Sequence, residues 1–148
     1  MNTQRMFREM MRAVATGDAD EARRISGQLD GEAHGRLNVY STAVLSIVLG
    51  HRFAEDSSRG AIQEFMDQLR HDYRKANPPI KPLMVEGVIR AFAGEEHLLD
   101  EIPAEEQLNA QYPVIRKIVA DSPELSQRID DILTDAETLV HEWETEDA

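Results

Sequence analysis

Five histidines and a dense run of acids are the residues of this chain whose types could bind a metal or move a proton. His51 and Glu55, Asp67 and His71, His97 and Glu101, and Glu137 and His141 each sit four residues apart. On a helix that spacing puts both members of a pair on one face. Helical metal sites ask for more: His-x-x-x-His, His-Glu-x-x-His or Glu-x-x-His. None of those patterns occurs. The densest polar group is Glu95–Glu96–His97, then Asp100–Glu101, then Glu105–Glu106. Oxygen ligands in that number suit a hard divalent cation, but the alternating acids and central glycine of a calcium loop are missing. The group reads as a solvated acidic connection between helices. A helical-bundle metal-binding protein or enzyme is kept as one alternative, and no metal or cofactor is expected.

Nucleophilic chemistry finds no pattern either. Cysteine is absent, which excludes disulfide scaffolds, Cys-ligated zinc, iron–sulfur clusters and thiol catalysis. Ser41 and Ser46 fall inside an apolar helical stretch, where each is expected to bond a carbonyl one turn back. Ser57, Ser58 and Ser122 read as helix caps. There is no Gly-x-Ser-x-Gly, Ser-x-x-Lys, phosphate-cradling loop or dinucleotide fingerprint. No catalytic residue is assigned.

What remains are surfaces for other proteins. Arg5, Arg8 and Arg12 line one side of the first helix, beside a Met-rich face. They suit an acidic partner, and the acidic half of this chain or of a second copy is one such partner. Near the other end, Leu125, Ile129, Ile132, Ala136, Leu139 and Trp143 are spaced 4, 3, 4, 3, 4. That is a coiled-coil-like seam of under three heptads, suited to packing along a bundle or across a dimer. Arg5, Arg8, Arg12, Ile132, Leu139 and Trp143 are therefore the candidate interaction residues.

The elements that must position them are all helical, since apolar residues recur with helical period and sustained strand alternation is missing. Met6, Phe7, Met10, Met11 and Val14 form the first stripe, stopped near Gly17. Asp18 with Glu21 suggests a capping box for a short second helix. The stretch from Ala15 through Asp18 to Ala22 resembles the turn between paired helices of tetratricopeptide-type repeats. The glycine spacing of 33 then 44 (Gly17, Gly50, Gly94) breaks any array, so one helix pair is expected. A third helix from about residue 32 to 52 is apolar on most sides and belongs at the centre. Fourth and fifth helices carry Ile62, Phe65, Met66 and Leu69, then Met84, Val85, Val88 and Ile89. Leu98, Leu99 and Ile102 suggest a short packed turn, Pro113 should kink or break a sixth helix, and the last helix should run from Ser122 to about Glu144. The expectation is one all-α domain over residues 1–148, a compact bundle of about six to seven helices, with residues 145–148 a disordered acidic tail.

The 148 residues carry a net charge of −12, and it is not evenly spread. Residues 1–74 hold 10 Arg against 11 acids, while residues 75–148 hold 6 basic residues against 17 acids. An acidic half repels phosphates, so neither direct nucleic-acid binding nor an anionic membrane surface is expected. The same acids motivate a second alternative, an inhibitor that mimics nucleic acid. Residues 37–49 are too short and too polar to span a bilayer, and no secretory signal pattern opens the chain. A cytoplasmic location follows as the expectation. Arg outnumbers Lys 13 to 3, as in GC-rich bacterial genomes.

Two stretches, Arg52–Phe53–Ala54–Glu55–Asp56 and Val88–Ile89–Arg90–Ala91–Phe92–Ala93–Gly94–Glu95, resemble segments of small all-helical proteins of actinobacterial type. The resemblance covers about the middle third of the chain. It implies a bacterial cytoplasmic protein and brings no activity with it. The functional expectation is a non-catalytic helical protein–protein interaction module, an adaptor, scaffold or regulator that self-associates as a homodimer.

Overall fold

The computed structural model describes residues 2–146. Among them the chain is all α, with eight α-helices and one 3-10 turn: α1 (Thr3–Thr16), α2 (Ala19–Ser26), α3 (Gly31–Arg52), α4 (Arg59–Asp72), α5 (Pro82–Phe92), the turn Glu96–Glu101, α6 (Ala104–Asp121), α7 (Pro123–Gln127) and α8 (Ile129–Glu146). The count exceeds the six or seven expected for two local reasons. The packed turn around Leu99 is a 3-10 segment of its own. The last helix is divided at Arg128, whose backbone leaves the helical region (φ −120°, ψ 27°). Pro113, expected to kink or break α6, does not break it: it lies inside the helix and is buried. Of the tail expected at 145–148, Thr145 and Glu146 belong to α8, and Asp147 and Ala148 lie outside the described residues.

Caps explain where the helices begin. Asp30, Ser58 and Ser122 each accept a bond from the backbone N–H three residues on, satisfying a donor that the first turn cannot pair internally. Asp18 does the same for Glu21. The reciprocal half of that capping box does not form: the Glu21 carboxylate is taken by Arg24, and the Asp18 N–H is taken by the carbonyl of Ala13. This last bond, with Gly17 N–H to Val14, closes α1 as a Schellman motif around Gly17 (φ 79°). The left-handed residue turns the chain sharply, so α1 and α2 form a single helix pair.

One core draws side chains from every α-helix. α3 and α6 are its centre. α3 buries nine residues, as an all-round apolar helix must. α6 buries Val114, Ile115, Ile118 and Val119 against it. A polar seam runs between them. Gln111 accepts from Ser41 and donates to Thr42 (3.1 Å), and Asn38 bonds Gln107 (3.1 Å). Ser41 thus bonds across to α6 instead of back along its own helix, because Gln111, 1% exposed, brings an acceptor to it. Ser46 makes the expected local bond to Thr42 O. No helix among the described residues is long and apolar enough to cross a membrane.

Candidate functional site: an apolar trough lined with hydrogen-bond donors

The expected interaction residues separate into four groups. Arg8 and Arg12 bind this chain's own last helix. Arg8 donates to Glu137 (3.0 Å), to the Asp130 carbonyl (3.0 Å) and to Thr134 (3.3 Å), and Arg12 pairs with Asp130. The pairs run 8 to 137 and 12 to 130, so α1 and α8 lie antiparallel. Hydrogen bonds from Arg12 hold the Asp130 carboxyl below the usual carboxylate range. Arg5 stands apart from these bonds and is exposed. Ile132, expected at a contact surface, faces its own core at 7% exposure, because the seam of α8 is packed against α3. It is not accessible to a partner. Leu139 and Trp143, further along α8, stay half-buried against the core edge.

Two members of the acidic run around His97 are taken by neighbouring cations. Glu95 makes two bonds to Arg90 (both 2.6 Å), and Glu106 pairs with Lys81 (2.7 Å). No group of three or more metal-ligating side chains lies together among the described residues. A shallow depression between α4 and α6 is occupied by Lys117, which is 6% exposed and bonds Asp72 (2.8 Å) and Asp121 (3.0 Å).

The deeper feature is a trough of about 760 Å³ that no sequence pattern pointed to. α1 and α2 form one wall with Met10, Val14 and Ala22. The segment joining α4 to α5 forms the other with Pro78, Pro79 and Ile80. Two consecutive prolines fix much of that wall's backbone and remove two N–H donors from it. α6 runs along the base. Asn109, Tyr112 and Arg116, spaced i, i+3, i+7, line it along one stripe. The size and the pairing of apolar walls with a few convergent polar groups are those of a binding site.

Those polar groups are hydrogen-bond donors with capacity left over. Arg116 donates one bond, to the Ala15 carbonyl (3.1 Å), and forms no ion pair among the described residues. Gly17 leaves the room it occupies: a Cβ there would lie 2.6 Å from its Nε. Tyr73 and Tyr112 also line the trough, and their hydroxyls make no hydrogen bond to any described residue. Burial pushes the Tyr112 phenol up. It pushes Tyr73 up too, against the opposing charge of nearby Arg116. Both therefore stay protonated donors at neutral pH. The lining carries three cations, Arg23, Lys81 and Arg116, against one carboxylate, Glu106. In a chain of net −12 that is a local reversal of sign.

The trough was hidden because its residues come from four separate segments, none with a motif. The legible trace is the 109–112–116 stripe, for between residues 110 and 119 only Tyr112 and Arg116 are not buried. Comparison with family models, with curated proteins and with solved structures finds no match; the functional reading therefore rests on this geometry.

Proposed function

We propose that the protein is a cytoplasmic, non-catalytic helical interaction module, an adaptor, scaffold or regulator, that docks a segment of another protein in this trough. The supporting observation is the trough itself, apolar along its walls and open to solvent, with donor groups facing it from one helix. Burying apolar area drives such docking, and placed polar groups fix its register. Selection of a random dodecapeptide display library on the whole protein tests the reading. Binders should lose at least tenfold in affinity for Ala22→Trp and Ala19→Trp, which fill the trough from α2. Binders indifferent to both substitutions, or none at all, would overturn it.

Self-association as a homodimer is part of the same proposal. Its support is the pair Leu139 and Trp143, half-buried on α8 where α1 gives out alongside it (Gln4 meets Glu137). Light scattering after gel filtration should give twice 16.7 kDa at tens of micromolar. Leu139→Asp should return the single-chain mass. A single-chain mass for the unaltered protein would remove the dimer.

A further inference from the structure

Building on the docking role proposed for the trough, we infer that its occupant is a short acidic segment of a partner protein, which supplies apolar anchors to the walls and a carboxylate to Arg116. Charge is the first reason. The trough is lined by three cations and one anion while the chain as a whole is strongly acidic, so attraction for an anion is confined to this place. Two of the cations are already partnered: Arg23 pairs with Asp20 and Lys81 with Glu106. Arg116 is the one whose guanidinium meets only a backbone carbonyl among the described residues. A guanidinium presents five N–H groups in a fork that matches a carboxylate, and one bond to Ala15 leaves most of that fork unused.

The second reason is the donor capacity of Arg116 and two tyrosines. Tyr73, Tyr112 and Arg116 all offer protons to the trough. Hydroxyls and guanidinium can all donate to an acceptor-rich ligand, whereas a basic or donor-rich segment would leave the guanidinium, which cannot accept, unpaired at a cost. Third, the apolar lining left open to solvent, Ala22, Pro78, Pro79, Ile80 and Met84, needs covering by side chains, which a bare inorganic anion lacks. A protein segment with alternating acidic and apolar residues meets both requirements, with Arg116 the specificity-determining residue.

The experiment uses the peptides recovered by display selection, each resynthesised with every Asp changed to Asn and every Glu to Gln. Fluorescence anisotropy then compares both forms on the unaltered protein and on Arg116→Gln, with helicity checked by circular dichroism. The acidic form should bind about tenfold more tightly, the scale of one charge-assisted hydrogen-bond pair. Arg116→Gln should erase that difference while leaving the amide form within about threefold. Equal binding of the two forms would overturn the carboxylate assignment and leave trough docking standing; absence of any trough-dependent peptide would overturn both. Dodecanoate displacing every peptide and binding more tightly would make the occupant a small amphipathic acid. A dimer abolished by Ala19→Trp would make it a second copy. Either result overturns the inference.

Discussion

Gly17 and Arg116 should be energetically coupled, and their coupling is measurable. Gly17 sits at φ 79°, where an L side chain costs about 1–2 kcal/mol. Alanine there gains back about 0.4–1 kcal/mol by restricting the unfolded chain. Its Cβ would also stand 2.6 Å from Arg116 Nε and 2.9 Å from Cζ, so the guanidinium must move off the Ala15 carbonyl. That loss is worth about 1 kcal/mol, below the usual range for a charged donor because the group is only half-buried. Gly17→Ala should therefore destabilise by about 2 kcal/mol in the unaltered protein and about 1 kcal/mol in an Arg116→Ala background. Urea unfolding followed by circular dichroism gives both values, with unchanged slopes as the check that the unfolded state is comparable. The backbone terms cancel in the cycle, leaving a coupling of about 1 kcal/mol. A coupling within experimental error of zero would refute the close approach, and with it the reason Arg116 points along the trough.

Arg8→Ala should cost about 1–2 kcal/mol through its three lost bonds to α8, and Arg5→Ala less than about 0.5 kcal/mol, both by urea unfolding. Gln111→Leu should cost about 1–3 kcal/mol because it strips a partner from buried Ser41, and adding Ser41→Ala should recover part of that loss. At Lys117 burial works to lower the pKa, but the hydrogen bonds its ammonium donates to Asp72 and Asp121 more than offset it and the folded value is raised. This contribution to stability is complete below the ordinary lysine value of about 10.4 and is lost as pH rises through the folded value, so alkaline unfolding should begin later in the unaltered protein than in the Asp72→Asn, Asp121→Asn double variant. Lys117→Met should cost less than that double variant, because the half-exposed carboxylates can rehydrate where the 5%-exposed ammonium cannot.

The architecture was legible where local chemistry decides it. Apolar period, the caps Asp18 and Ser58, and the stop at Gly17 each depend on a few neighbouring residues and stand in the structure as read, while Ser57 caps no described helix and Ser122 caps the short α7 instead of one long last helix. What misled were features whose outcome depends on a distant partner. Ser41 had a local carbonyl available, yet Gln111, seventy residues on, offers a better acceptor inside the core. Glu21 fits a capping box, yet Arg24 competes for it. The 3.5-residue seam of α8 suited a dimer as well as a core helix, and only α3 lying beside it decides where Ile132 goes. The trough is the extreme case, since α2, the 73–84 segment and α6 must meet before it exists.

The position-resolved charge carries a kinetic consequence. Arg8 and Arg12 neutralise Asp130 and Glu137 within the chain, so they do not draw in an acidic partner. An approaching acidic segment first meets a field set by the net −12, and long-range repulsion slows its encounter at low salt. Once seated, it is held by short contacts to Arg116 that salt also weakens, though less where water is excluded. Association and dissociation rates should thus both rise as salt is raised from low to physiological strength. For an ordinary pair steered by opposite charges, association instead falls with salt. Stopped-flow anisotropy with an acidic trough-binding peptide separates the two rates. Association that falls with salt would mean that the field at the mouth of the trough is positive well beyond Arg116, Lys81 and Arg23, and the confinement of attraction argued from the lining would be wrong.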